Sequence, residues 1–429
     1  MLKWGRKYIL TDGMGMLLLG IILLQLAMRF PNGEMEYRIS TDVEGYYLYL
    51  PGVFVYDGFE EMPVKTTFEY QPHPHSGKYF TRFTYGVALM EAPVFLLTHL
   101  VATQGWFGAN LADGYSRTYN DGLIASNILY AVLGLYLLLL VLRRRFAGAL
   151  SWLVVLLILF GSNYFYYVVG MVGMSHNYIF FLVAALLYYT PGIYEALTFW
   201  KALRLSFILG LLVLVRPTNL VFVLYPLLYQ LYTWASFGER FHWWLKRWKY
   251  MLLVPIVGLL VWVPQFVYWK VVAGAWFYNG YPVGFDHWLN PFFPDIWFSV
   301  QNGWLIYSPL MGLSLIGLVM AFRQKIASAP VVALLFLGLT YLFASWYVWW
   351  FGSAFGYRPM IDFYPMLAFP LALVIERLYR AKLPFKIIGS TGLVLLCYYS
   401  VGLAYLYRHP WEGPDWTWEA FAQVLQALF

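Results

Sequence analysis

Cysteine occurs once in the 429 residues, at position 397, inside an apolar run. That excludes a disulfide framework and a cysteine-ligated zinc site. Charge is scarce as well: Asp, Glu, Lys and Arg make up 11% of the chain, less than half the roughly 25% of soluble domains. Internal repeats and low-complexity linkers are absent. The composition is instead apolar and aromatic, with 61% hydrophobic residues and 21% Phe, Trp and Tyr, and a mean hydropathy of +0.62. It implies a polytopic membrane protein. The aromatic excess suits interfacial belts and the walls of clefts open to both lipid and water.

Crossing the hydrocarbon takes about 20 apolar residues. Eleven spans are predicted, near 13–30, 121–142, 148–168, 177–193, 200–215, 218–235, 250–270, 302–321, 329–348, 362–379 and 387–406. Alternating them places Lys3/Arg6/Lys7, Arg143–Arg145, Lys201/Arg204, Arg240/Lys246/Arg247/Lys249, Arg323/Lys325 and Arg377/Arg380/Lys382/Lys386 on one side. Positive loops face the cytoplasm, so the net charge of +7 is topology rather than a nucleic-acid patch. The N-terminus is then cytoplasmic and the C-terminus extracytoplasmic. The start, MLKWGRKYILTDG, reads as an uncleaved anchor.

Segment 84–104, TYGVALMEAPVFLLTHLVATQ, is apolar, but counting it as a span would break the charge alternation for every later cluster. It is expected to lie flat or dip at the outer interface. The chain therefore reads as one transmembrane domain over 1–406, with a long first extracytoplasmic loop over 31–120. The extracytoplasmic tail, 407–429, is expected to carry a short amphipathic helix.

Polar residues within or at the mouth of a bundle are costly and mark function. Nearly all of them fall at the outer ends of the spans. Asp42, Glu44, His73, His75, Lys78 and Arg82 lie in the first loop, and His176 lies in GMSHNY. Arg216 and Asn219 lie in RPTN, Gln265 and Lys270 in PQFVYWK, and Trp346, Trp349, Trp350, Tyr357, Arg358 and Asp362 in SWYVWWFGSAFGYRPMIDFYP. Each has a plainer reading. Asp42 is a helix cap, His176 a packing residue, Arg216 a snorkelling side chain. The Trp cluster is an interfacial belt, and Arg358 with Asp362 an i,i+4 pair. Gathered on one side, they point to a cleft that faces the exterior.

The acidic stretch STDVEGYYLYLP, residues 40–51, carries the chemistry. An extended backbone there would put Asp42 and Glu44 on one face. The like charges would then raise one pKa or recruit a divalent metal, with His73 and His75 as further candidate ligands. A carboxylate suits the removal of a proton from an attacking hydroxyl. Arginine at Arg216 and Arg358 suits a phosphate leaving group.

The ordered set DVEGYYLYLP, KYFTRFTYGVALMEAPVFLL, GYSRTYNDGLIASNILYAVLGLYLLL with RRR, GMSHNYIFFL, LVRPTN, PQFVYWK and SWYVWWFGSAFGYRPMIDFYPMLAFPLA resembles bacterial GT-C glycosyltransferases over about 10–380. It is most similar to the branch of protein O-mannosyltransferases and lipopolysaccharide-modifying sugar transferases. The resemblance implies an all-α GT-C-like bundle in the bacterial cytoplasmic membrane. It implies a polyprenyl-phosphate sugar donor and inverting transfer outside that membrane. The acceptor would be a cell-envelope glycan, lipid or protein. An acid of the first-loop motif would be catalytic. Here it is Asp42 or Glu44, separated by Val43 where the family has adjacent acids, and Asp42 is favoured because it leads the GYY block. Arg216 and Arg358 would hold the donor phosphate, and Tyr46, Tyr47, His176, Trp346, Trp349, Tyr357 and Asp362 the substrates. A non-catalytic lipid-binding or complex subunit would keep the same bundle. A transporter for a lipid-linked sugar would need polar groups at mid-membrane and pseudo-symmetric halves, which the sequence lacks.

Overall fold

The computed structural model describes residues 6–31, 38–62, 70–108, 111–281, 283–408 and 410–429. Lys3 of the first basic cluster, and parts of the first loop, lie outside the described residues. The protein is an all-α polytopic membrane protein. Its helices begin with α1 (Arg6–Arg29), α2 (Asp42–Tyr47) and α3 (Tyr49–Phe54). A two-stranded hairpin follows, β1 (Tyr70–Pro72) with β2 (Tyr79–Thr81), then α4 (Gly86–Thr103), α5 (Arg117–Arg143), α6 (Gly148–Phe160) and α7 (Tyr164–Val169). Next come α8 (Ser175–Glu195), α9 (Phe199–Val215), a 3₁₀ stretch over Pro217–Val223, α10 (Leu224–Leu228), α11 (Trp234–Leu245), α12 (Trp248–Met251) and α13 (Leu253–Ala273). The chain ends with α14 (Phe293–Phe298), α15 (Trp304–Tyr307), α16 (Gly312–Arg323), α17 (Ala329–Ala344), a 3₁₀ turn over Arg358–Phe363, α18 (Tyr364–Tyr379), α19 (Leu383–Leu406) and α20 (Trp418–Leu428).

Among the described residues, seven helical segments are long and apolar enough to cross a membrane, Gly86–Thr103 among them, and four more are apolar but shorter. Several predicted spans are broken. The predicted 218–235 span is a 3₁₀ stretch plus α10 and stops at Leu228. It ends where Tyr229 leaves the helical region (φ −56°, ψ 124°) and Gln230 adopts φ 59°. Pro309 divides the 302–321 span.

In lipid, helices gain little from hydrophobicity and associate through close packing. Gly317 of α16 shows this, since a Cβ there would overlap the Pro370 carbonyl of α18. α18 is buried along most of its length, whereas α13 and α19 expose most of theirs to the lipid side.

Helix α4 packs against α5, α8 and α9. At its start, Thr84 donates to the Leu214 carbonyl, and a Cβ on Gly86 would strike the backbone of Val215 at 2.6 Å. Farther along, the Tyr178 hydroxyl near the start of α8 donates to Glu91 at 2.7 Å. His99 meets the Tyr119 hydroxyl near the start of α5. These partners all belong to the same ends of α9, α8 and α5, and α4 is long enough to cross. The basic clusters gather at the opposite end. There Arg143 pairs with Asp12, Arg144 reaches the Tyr188 carbonyl, and Lys201 reaches the Gly192 carbonyl at the close of α8.

Candidate active site

Asp42 is the first residue of α2, after Thr41 at φ 53°. Its carboxylate is bracketed by two guanidiniums: Arg358 Nη1 at 2.9 Å from Oδ2 and Arg82 Nη2 at 3.8 Å from Oδ1. All three side chains keep a little exposure, between 12% and 20%, so the cluster is a cleft floor rather than sealed core. The segment is helical, not extended, which corrects the shared-face expectation. Residues two apart on a helix are about 200° apart. Glu44 accordingly faces Tyr70 and Tyr115. Burial is the main cause that pushes both phenols above their ordinary range, with the Glu44 charge adding to it. Asp42 and Glu44 therefore do not form a like-charge pair.

A second cluster adjoins the first. Asp362, in the turn that Arg358 opens, lies 2.7 Å from His176 Nδ1 and 3.7 Å from Arg216 Nη1. Arg216 Nη2 stands 3.4 Å from His176 Nε2. Both contacts are satisfied by a neutral imidazole that donates from Nδ1 to the carboxylate and accepts at Nε2. His176 and Asp362 are essentially inaccessible, while Arg216 is 19% exposed. The buried pair thus holds the arginine from behind and leaves one face of its guanidinium toward the cleft. Tyr46 connects the clusters. It hydrogen-bonds Arg216, lies 3.4 Å from the Ser175 hydroxyl and packs its ring 4.2 Å from Phe83.

The other candidates divide. Trp346 lies at the rim, edge-on to Tyr281 with ring centres 6.0 Å apart. Tyr357 is buried behind Phe351, and neither its hydroxyl nor Arg358 Nε has a hydrogen-bond partner. Tyr47 turns away. Its hydroxyl donates to the Gly114 carbonyl at 2.9 Å and its ring meets Phe95 and Tyr115, which pins α2 to the rest of the loop. Trp349 is buried against Phe292 and Trp350.

His73 and His75 sit in the β1–β2 turn, where His73 Nδ1 accepts the His75 backbone N–H at 3.2 Å. Burial and the neighbouring His75 lower the His73 pKa. Among the described residues, no three His, Cys, Asp or Glu side chains come together as a metal-ligating group. Asp42 is engaged by cations instead, so the donor set does not fit a divalent ion.

Two residues without a role assigned from the sequence belong to the site. Arg82 directly follows β2, whose Thr81 N–H donates to the Tyr268 hydroxyl at 2.9 Å. Its guanidinium lies 5.2 Å from the Phe83 ring centre and 5.5 Å from that of Tyr281. Tyr281 feels Tyr46, Asp42, Arg82 and Arg216 electrostatically, though burial is the main reason its phenol is raised. It comes from an irregular segment with no hydrophobic period, so only the tertiary fold reveals it. Arg82 had a visible signal, a lone arginine after an aromatic strand in KYFTRF.

A buried amide layer underlies both clusters. Asn127 donates to the Val168 carbonyl at 2.9 Å and accepts from the Gly173 N–H at 3.0 Å and Asn177 Nδ2 at 2.7 Å. The Tyr167 hydroxyl accepts the Phe355 N–H at 3.1 Å, and Asn163 Nδ2 donates to the Phe355 carbonyl at 3.3 Å. The turn leading to Arg358 is therefore tied to α7, and buried hydrogen bonds of this kind fix one geometry, although Asn177 Oδ1 has no partner of its own among the described residues.

No family model matches the chain, and no curated protein matches it in sequence. In structure it is similar to ArnT from Cupriavidus metallidurans, whose crystal structure was solved bound to undecaprenyl phosphate. The TM-score is 0.53 at 13% identity, over 91% of this chain and 69% of that one. At that identity the likeness is one of fold. The chain shares that protein's helical architecture.

Proposed function

We propose that the protein is a membrane glycosyltransferase that moves a sugar from a polyprenyl-phosphate carrier to an acceptor hydroxyl, with inversion, on the extracytoplasmic side of the bacterial cytoplasmic membrane. One observation carries this reading: Arg82 and Arg358 converge on a single partly exposed carboxylate, Asp42, and Arg216, held by Asp362 and His176, adjoins them through Tyr46. The bound undecaprenyl phosphate of the ArnT crystal structure supports a lipid-phosphate ligand for this fold. The basic end of the bundle, opposite the cleft, supports the sidedness.

Without donor, Asp42 is the counter-ion of Arg358 and Arg82. A donor phosphodiester takes its place on the guanidiniums through charge-assisted hydrogen bonds. Asp42 is thereby released to accept the proton of the acceptor hydroxyl. As that proton leaves, the acceptor oxygen bonds to the sugar C1 and the C1–O bond to phosphate breaks. The bonding pair departs with the lipid phosphate, whose added negative charge rests on Arg358 and Arg216. A single displacement inverts the anomeric carbon. Tyr281 and Trp346 offer ring faces to the sugar, while the buried Tyr46 holds Arg216 in place.

The test is release of undecaprenyl phosphate from a panel of radiolabelled undecaprenyl-phosphate sugars by the purified protein with envelope extract as acceptor. Release by wild type and not by Asp42→Asn is expected. Binding of the lipid without release from any sugar would make the protein a non-catalytic binder.

A further inference from the structure

Residues 345–358 join α17 to the turn that carries Arg358, and this connection is fixed at both ends. Ser345, which closes α17, accepts the His287 N–H at 3.1 Å through its carbonyl. Phe355 is buried and held by Tyr167 and Asn163. The stretch between them, 346–354, is neither helix nor strand, and it begins with Trp346 of the cleft rim. Its backbone is strained. Phe351 at φ 57° and Gly352 at φ 60° are two left-handed residues in succession. That conformation is costly for a residue with a Cβ and persists only where neighbours over-determine it.

Two groups from distant parts of the chain hold it. Asn302 Nδ2 donates to the Trp350 and Gly352 carbonyls at 2.9 and 3.2 Å. Glu412 takes the side chains: Trp350 Nε1 donates to its Oε2 at 3.1 Å and Ser353 Oγ to its Oε1 at 2.9 Å. One carboxylate thus grips the chain on either side of the strained pair with charge-assisted hydrogen bonds. Glu412 is itself firmly placed. The neighbouring Trp411 is buried and stacks on Trp416, ring centres 4.9 Å apart. Trp416 Nε1 donates to the Val300 carbonyl at 3.0 Å, and Gln301 Nε2 donates to the Gly413 carbonyl at 3.0 Å. Phe351 passes the constraint to the rim. Its ring stacks on Trp346, with centres 6.4 Å apart and planes at 17°.

We propose that Glu412 is a positioning residue for the sugar: by holding Trp350 and Ser353 it fixes Phe351, and through Phe351 the Trp346 ring at the cleft rim. The inference rests on the glycosyltransferase reading, in which Trp346 offers its face to the donor sugar. The phosphate end of the donor is set separately. Arg358 lies beyond the Phe355 anchor, and Arg216 is held by His176 and Asp362. Glu412 therefore acts on the sugar and not on the lipid phosphate.

Hydrogen-exchange mass spectrometry of the detergent-purified full chain tests the grip directly. The Tyr347 and Phe351 amides donate to the Gly284 and Val348 carbonyls, so peptides over 346–354 report the state of the loop. With Glu412→Ala they should exchange about tenfold faster, the scale of one hydrogen bond to a charged group, while peptides over 355–364 keep the wild-type rate. Trp350→Phe keeps the ring and removes the donor. It should speed the same peptides, and combining it with Glu412→Ala should add little, since both changes break one contact. Glu412→Gln, whose amide oxygen still accepts one donor, should recover part of the protection. On an undecaprenyl-phosphate sugar that wild type turns over, Glu412→Ala should raise KM and leave kcat unchanged, and undecaprenyl phosphate without a sugar should bind both proteins alike. Unchanged exchange over 346–354 would overturn the proposal. So would a rise that spreads equally through 355–364, or an equal loss of undecaprenyl phosphate binding. Absence of turnover by wild type would count against the glycosyltransferase reading instead, and the exchange result would still decide whether Glu412 holds the loop.

Discussion

Arg358 and Asp362 lie one turn apart on the same short 3₁₀ segment, yet their ion pairs run to different parts of the chain. Arg358 reaches Asp42 in the first loop, and Asp362 reaches His176 on α8. One turn thereby joins Asp42 to the buried pair that holds Arg216.

The roles of the two acids separate on substitution. Asp42→Asn keeps shape and removes basicity, and turnover should fall by about 10²–10⁴-fold. The same change takes a negative charge away from Arg82 and Arg358, so undecaprenyl phosphate should bind at least as tightly as to wild type. Glu44→Gln, on the opposite side of α2, should cost less than about tenfold in turnover. Parallel turnover and lipid-binding assays check this. The reverse ranking would move the base to Glu44.

The guanidiniums should not be replaceable by point charges. Arg358→Lys keeps charge but loses the planar fork, and kcat should drop while the protein remains folded. Arg82→Lys should act in the same direction. Wild-type kcat in both variants would remove phosphate stabilisation from the mechanism.

The His176–Asp362 pair should be a stability element. Leaving one partner of a buried hydrogen bond unsatisfied costs about 1–3 kcal/mol, and more where a charge is involved. Asp362→Asn should therefore lower the melting temperature in detergent markedly more than Tyr46→Phe does. Equal melting temperatures would show that the pair is not strongly coupled to folding.

Sidedness is testable with single cysteines on a Cys397→Ser background. Ala112 and Asp415 are exposed near the cleft end, and Lys382 is exposed at the basic end. Impermeant maleimide on intact cells should label Ala112→Cys and Asp415→Cys, and should label Lys382→Cys only after permeabilisation. The opposite pattern would invert the topology.

The class of fold was legible from long apolar runs and from the one-sided placement of Lys and Arg, because both follow directly from the bilayer as solvent. So were Asp42, Arg216 and Arg358, since polar groups at helix ends in so apolar a chain need a reason. The direction of side chains within the first loop was not. STDVEGYY carries no period that tells a short helix from an extended segment, and one choice over the other reverses where Glu44 points. Tyr47 reads like Tyr46 in sequence, but one helical step sends it toward Gly114 instead of Ser175. Tyr281 was out of reach for another reason: its segment is held by contacts with Arg82 and Trp346 rather than by its own pattern.

The 3₁₀ stretch and α10 together run only from Pro217 to Leu228, roughly 21 Å at 2.0 and 1.5 Å per residue. A bilayer core is about 30 Å thick. A segment of that length would span only where the lipid beside it thins, which would draw the two leaflets together next to the entrance of α11. Hydrophobic mismatch costs fractions of a kcal/mol per Å, enough to sort lipids by length. A long-chain carrier diffusing in the membrane would meet a thinned, short-chain annulus there and full thickness along α13 and α19.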